Sequence, residues 1–208
     1  MAEVYRAHDR RVGRDVAIKL LNARCSQDPG LLDRFRQESR ALARLSDPHI
    51  VTLLDNGETD DGRLYLVMER LRGETLQQRI ERLYEHGERM PWAQIAEIVR
   101  QVCRALATAH AENIIHRDIK PSNLFLSAGD FVKILDFGVA KILAAEPLTG
   151  GISGLSTESG VIYGTPHYLA PEAIAPDTYG PIGPQVDVFA LGVVLYKVIT
   201  GVLPREGL

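Results

Sequence analysis

The sequence predicts an α+β chain in two parts, a strand-rich small lobe over 1–71 and a mostly helical larger lobe over 72–208. Three observations predict it. Short β-branched runs recur through the first third, with one helical stretch among them. After "RGE" at 72–74 the apolar spacing becomes helical. The composition, 45% apolar and 25% charged, is that of a chain that packs a core.

Each element follows in order. "EVYRAHD" alternates, with Val4, Arg6 and His8 on one face and Tyr5, Ala7 and Asp9 on the other. "DVAIKLL" is a second strand, joined to the first by the turn "RRVGR". Asp28 and Pro29 read as an N-cap and a first helical residue, opening an amphipathic helix over 30–45 with Leu31, Phe35, Leu42 and Leu45 as its stripe. "HIVTLLDNGE" and "RLYLVMERL" are strands joined by "TDDG". The join between lobes falls near 69–73. Residues 74–86 read as a helix, and Pro91 opens another with Ile95, Ile98, Val99, Val102, Leu106 and Ala109 on one stripe. "NLFLS" and "FVKILDF" are short strands. Residues 143–162 lack periodicity and read as a long loop, and loops of that length in compact domains are usually functional or mobile. A Pro/Gly-rich stretch over 176–184 leads into a buried helix over 186–200.

Some function classes are excluded early. A net charge of −3 argues against a nucleic-acid binder working through a basic face. Cys25 and Cys103 lack CxxC spacing and read as free thiols in a reducing compartment, which makes the chain cytoplasmic. The run "VDVFALGVVLYKVIT" is short of a membrane span and carries Asp187 and Lys197. The six histidines show no HExxH-type metal spacing.

The chemistry concentrates in a few places. "HRDIKPSN" sets an acid, Asp118, two residues from a cation, Lys120, and five from an amide, Asn123. Asp136 stands at a strand end in "ILDFGVAK". A hard cation such as Mg2+ takes a few protein oxygens and fills its shell from phosphate and water, and Asn123 and Asp136 supply two such oxygens. Lys19, ending "DVAIK", offers an ammonium for phosphates, and Glu38 on the first helix could hold it.

These stretches resemble the protein kinase signature set. "VAIK", "HRDIKPSN", "DFG" and "APE" stand in family order along almost the whole chain, with intervals that fit the family. The wording is similar to the eukaryotic-like serine/threonine kinases of bacteria. The resemblance implies ATP and Mg2+ as cofactors and protein Ser/Thr hydroxyls as substrates. It implies roles for each residue. Lys19 contacts the ATP phosphates and Glu38 is its ion-pair partner. Asp118 accepts the substrate proton, and Lys120 stabilises the transferring phosphoryl. Asn123 and Asp136 hold Mg2+, and Thr165 bridges to Asp118 and Lys120. Val4 and Ala17 cover the adenine with Phe125 below it, Glu69 and Leu71 offer backbone hydrogen bonds, and Met68 gates the back pocket. Leu42, Leu53, His116 and Phe137 form a column between the lobes, which makes His116 structural.

Several readings stay open. Glu74 is either a ribose contact or an exposed acid at a helix start. Asp187 either holds the catalytic-loop backbone or caps its own helix. Arg117 resembles the arginine that awaits a loop phosphate, with Thr157 and Ser159 as candidate acceptors, in one copy acting on another. The Gly-rich loop that precedes "EVYRA" in the family is missing, as are the last helices, so the chain reads as trimmed at both ends. Two functions compete: an active serine/threonine kinase, or a catalytically silent kinase fragment or pseudokinase acting as a binding module. Small-molecule phosphotransferases of related fold are a weaker third.

Overall fold

The structure is a computed structural model that describes residues 2–21, 29–137 and 166–204. Its first part is an antiparallel sheet of β1 (Glu3–Asp9), β2 (Arg14–Leu20), β3 (Leu53–Glu58) and β4 (Leu64–Glu69), in the order β1-β2-β4-β3. One helix, α1 (Pro29–Arg44), joins it. Phe35 of α1 is buried with Leu21, Leu64 and Leu66 in a small core. One end of the same helix reaches further, and Leu42 packs with Leu45 against the larger core of the helical part. α1 therefore touches both cores and couples them.

β1 departs from its expected alternation. Val4 is 64% and Tyr5 50% exposed, so neither face is buried. β1 is an edge strand, paired only with β2, so its outer backbone edge is free of sheet partners among the described residues. The strand expected over "HIVTLLDNGE" also shortens to 53–58. Residues 49–51 bond instead to a strand of the second part: Val51 N–H donates to Ile134 O (3.0 Å) and Ile134 N–H to His49 O (2.7 Å).

That second part opens with β5 (Glu74–Thr75), α2 (Leu76–Glu85) and α3 (Trp92–Ala111), followed by β6 (Leu124–Leu126) and β7 (Val132–Ile134). The chain continues in α4 (Pro171–Ile174), α5 (Pro176–Tyr179) and α6 (Gln185–Thr200). A small sheet runs β5-β6-β7. The helix expected over 74–86 starts two residues later, because Glu74 and Thr75 pair with Leu126 and Phe125. Thr75 then caps α2: its hydroxyl accepts from Gln78 N–H (3.2 Å), and the Gln78 amide oxygen accepts from Thr75 N–H (2.8 Å). This reciprocal box satisfies donors that a helix start leaves unpaired. Of the predicted stripe of α3, Ile95, Ile98, Val102, Leu106 and Ala109 are buried, while Val99 is half-buried at its edge. α5 lies within the stretch expected to be irregular, with Pro176 at its first position, where a missing N–H costs nothing. Among the described residues no helix is long and apolar enough to cross a membrane.

Candidate active site

Strand register builds the upper wall of the site. Val4 lies opposite Lys19 across β1 and β2, and Ala17 lies opposite Met68 across β2 and β4. Ala17 and Lys19 are two residues apart, so all four project from one sheet face. That face carries the lysine, the two residues expected above a base, and the expected gate. Met68 also lines a cavity with Leu42, Leu53, Leu66, Asp136 and Phe137.

The lower wall is the segment between α3 and β7. Asp118 Oδ2 lies 2.8 Å from Lys120 Nζ. The Asn123 amide donates to Asp118 O (2.8 Å) and Asp118 Oδ2 (3.0 Å). Its hydrogens are thus engaged by Asp118, and its amide oxygen is the group a cation could use. Asp136 stands just after β7 with φ 61°, and its Oδ1 lies 2.7 Å from Lys19 Nζ. Lys19 is 8% exposed, so its charge is partnered where water is scarce. The expected partner of Lys19 was Glu38; the ion pair here is with Asp136 instead. The half-buried Glu38 lies on α1, and its charge acts on the Arg117 guanidinium. Carboxylate and amide oxygens at Asp136 and Asn123 are a hard donor set, which fits Mg2+.

His116 is fully buried, and its ring meets Phe137 edge-on at 4.6 Å. Its Nε2–H donates to Leu135 O (2.7 Å), and its Nδ1 accepts from Asp118 N–H (3.2 Å). Both contacts suit a neutral imidazole. Burial pushes its pKa down, against the pull of Asp187 and the Leu135 carbonyl. The structural role expected of His116 fits this geometry.

Asp187 settles between its two readings. No side-chain cap is made at the start of α6. Its carboxylate instead accepts from His116 N–H (2.9 Å), Arg117 N–H (2.8 Å) and His110 Nε2 (2.8 Å). Glu74 faces two arginines, Arg79 and Arg82, with Arg82 Nη2 at 2.9 Å. Hydrogen bonds from Arg82, opposed by slight burial, hold the Glu74 carboxyl below its usual range. Arg79 continues the cluster to Asp130 (3.1 Å) in the turn before β7.

Arg117 has φ 67°, and its buried Nε and Nη1 make no hydrogen bond. Burial lowers its pKa, while the charges of Glu38 and Asp187 oppose the shift. The acceptors expected to meet it, Thr157 and Ser159, lie outside the described residues, as does Thr165. Leu71 and Phe125 are half-buried. The Glu69 backbone N–H is taken up by Thr52 O (3.1 Å).

Sequence reasoning missed two ion pairs beside the 69–71 segment. Glu69 Oε1 lies 2.6 Å from Lys133 Nζ, and Arg70 Nη1 lies 2.7 Å from Asp15 Oδ2. The partners stand 64 and 55 residues apart, so no local spacing points to them. One signal was present: Lys133 interrupts the apolar run "FVKILDF", where a charge needs a partner.

A small sheet and a helical part, with a lysine of the sheet paired to a carboxylate of the helical part, make up the design of the two-lobed phosphotransferases. That is the class this fold and this site define. The protein kinase domain model matches residues 1–207, and the chain belongs to the protein kinase family. It is 41% identical over 210 residues to the serine/threonine-protein kinase PknB of Mycobacterium leprae (strain TN), which covers 100% of this chain and 32% of that protein. It is 39% identical over 212 residues to PknA of Mycobacterium tuberculosis (strain ATCC 25177 / H37Ra), covering 100% of this chain and 46% of the relative. The crystal structure of the Mycobacterium tuberculosis PknI kinase domain superposes with a TM-score of 0.73 at 26% identity, covering 99% of this chain and 72% of that one. The chain thus spans about a third of the length of PknB. Kinases of this family generally use ATP with Mg2+.

Proposed function

We propose that this chain carries the catalytic machinery of a serine/threonine protein kinase, transferring the γ-phosphoryl group of ATP to a protein hydroxyl. The observation that carries the reading is the Asp118 carboxylate, braced by Lys120 and Asn123 beside the Lys19–Asp136 pair. The substrate oxygen bonds to the γ-phosphorus as the bridging P–O bond to ADP breaks, and the hydroxyl proton passes to Asp118. Lys120 and Lys19 neutralise phosphate charge. Little covalent help is needed, so orientation and charge supply most of the acceleration. Asn123 and Asp136 would hold Mg2+, which when bound supplies further neutralisation of the phosphates.

The rest of the reading follows from this one. Val4, Ala17 and Phe125 enclose the adenine, Glu69 and Leu71 offer it backbone groups, and Met68 gates the space behind. Glu38 would be the partner of Lys19 with Asp136 given over to Mg2+. The chain divides at 71/72, with the nucleotide at the division. One copy phosphorylates the 149–159 loop of another at Thr157 or Ser159, the new phosphate meets Arg117, and Thr165 bridges to Asp118 and Lys120. ATP as donor makes the working compartment the cytoplasm. A silent binding module would be expected to lack one of Lys19, Glu38, Asp118, Asn123 or Asp136, and all five are present.

The test is Mg·ATP-dependent phosphorylation of a serine/threonine protein by the full-length protein and its Asp118→Asn variant. Transfer lost in the variant, with thermal melting unchanged, is the expected result. Equal transfer by both would overturn the assignment of Asp118.

A further inference from the structure

Two consecutive residues of the segment between the sheets reach in opposite directions. Arg70 reaches back to β2, where Asp15 Oδ2 lies 2.7 Å away and also accepts from Arg6 (3.1 Å). Glu69 reaches forward to β7, where Lys133 Nζ lies 2.6 Å from its Oε1. Lys133 also donates to Ile50 O (3.2 Å), and Glu69 Oε1 also accepts from Thr52 N–H (2.8 Å). Side chains of Lys133 and Glu69 are 13% and 30% exposed, so the pair is largely shielded from solvent. Burial pushes the Glu69 carboxyl up, but hydrogen bonds from Lys133 and Thr52 outweigh it and keep it ionised.

β7 is a stiff anchor for such a tie. Val132 and Ile134, on either side of Lys133, are fully buried. Ile134 bonds to residues 49 and 51, and Leu135 bonds to both Asn123 and His116. Asp136 follows three residues after Lys133, about 10 Å of extended chain at roughly 3.3 Å per residue. Lys133, at one end of that stretch, holds the segment proposed to face a base, and Asp136, at the other, is the carboxylate proposed to face phosphates.

We propose that Lys133 is a positioning residue for the nucleotide: through Glu69 it ties the 69–71 segment to β7 and so sets the spacing between the adenine end of the site and Asp136. The Arg70–Asp15 pair holds the same segment to the sheet from the other side. A base stacked under Ala17 then meets backbone groups whose distance from the metal ligands is already set. Such preorganisation strengthens binding by reducing the ordering needed when the ligand arrives. The inference rests on the kinase reading above.

The experiment measures ATP dissociation constants and steady-state kinetics on the full-length protein. Lys133→Met is expected to weaken ATP binding about tenfold, equivalent to about 1.4 kcal/mol, while kcat at saturating ATP and KM for the protein substrate move less than about twofold. Lys133→Arg is expected to restore ATP affinity, since a guanidinium can meet the same carboxylate. Glu69→Gln should lose ATP affinity to the same extent as Lys133→Met, and the double variant should bind ATP no more weakly than either single one, because both remove one interaction. Wild-type ATP affinity in Lys133→Met, no rescue by arginine, or additive losses in the double variant would each overturn the proposal. If wild-type protein binds ATP and transfers phosphate while Lys133→Met is unaffected, only this tie fails. If wild-type protein does neither, the kinase reading falls and this inference with it.

Discussion

Asp187 holds Arg117 in a left-handed conformation: its Oδ1 lies 2.8 Å from the Arg117 N–H, and Arg117 has φ 67°. The acid sits on α6 and is fully buried, while the arginine precedes Asp118. A non-glycine residue at positive φ is strained, and such strain persists only where its surroundings impose it. The consecutive N–H groups of His116 and Arg117, both bonded to one carboxylate that His110 also holds, impose it here. The helical core thereby fixes the geometry of the segment that carries Asp118.

Asp187→Ala should therefore be costly in two ways. Hydrogen bonds to a charged group are worth roughly 1.5–3 kcal/mol each, and removal leaves buried donors unpaired, so a loss of at least about 3 kcal/mol is expected. Urea unfolding measures it. Phosphoryl transfer should fall as well, beyond what the unfolded fraction explains, because Arg117 and Asp118 lose their imposed backbone. A variant with wild-type stability would show that the left-handed turn holds itself.

His116 makes stability depend on pH. Its folded pKa is lowered by burial from an ordinary value of 6.5. Below that value the unfolded chain binds a proton that the folded ring resists. The contribution is fully present above about pH 6.5 and is lost as pH falls below it toward the folded pKa, by at most about 1.4 kcal/mol per pH unit. The check compares unfolding free energy at pH 7.5 and 5.5 in wild-type and His116→Phe proteins. The variant should be less stable at pH 7.5, having lost two hydrogen bonds, but should decline less between the two pH values. Parallel declines would assign the dependence to the other histidines.

Much of this site was legible in the sequence because its groups are set by short spacings. The intervals from Asp118 to Lys120 and Asn123 fit one tight turn, and the 3-10 turn Pro121–Asn123 delivers the amide back onto the acid. Val4 and Ala17 were placed by the resemblance to the kinase family, and the strand register sets them on the face that carries Lys19. Less legible were pairings decided by three-dimensional proximity. Lys19 has two carboxylates within its expected surroundings, and which of them it takes depends on where α1 sits. The β5 residues Glu74 and Thr75 read as helix because their partners, Leu126 and Phe125, are about fifty residues away. Ion pairs at Glu69 and Arg70 escaped for the same reason.

Ser39 offers a stabilising change. It lies on α1 with no exposed surface, and its hydroxyl makes no hydrogen bond. An unsatisfied buried hydroxyl costs roughly 1–3 kcal/mol, and alanine is the better helix former. Ser39→Ala should raise stability by about 1 kcal/mol, read as a higher urea midpoint at constant slope. A lower midpoint would mean that the hydroxyl has a partner, such as a bound water.

Gly73 should tolerate no side chain, and the contrast with Gly87 isolates the reason. Gly73 has φ 147°, and a Cβ there would lie 2.0 Å from Leu126 O and 3.1 Å from the Phe125 ring. The obstacle is backbone on the neighbouring strand, so it cannot turn aside as a flexible side chain would. Gly87 has φ 69° with nothing within 4 Å of its missing Cβ, so alanine there meets only backbone strain of roughly 1–2 kcal/mol. Gly73→Ala should cost distinctly more, about 3 kcal/mol or above, by separating β5 from β6. It should also weaken ATP binding, since Phe125 lies on β6 and forms the proposed floor under the base. Thermal melts of both variants, with ATP titrations on each, read the two effects. Equal melting losses at the two glycines would show that the β5–β6 contact gives way without cost, and unchanged ATP affinity in Gly73→Ala would remove Phe125 from the nucleotide site.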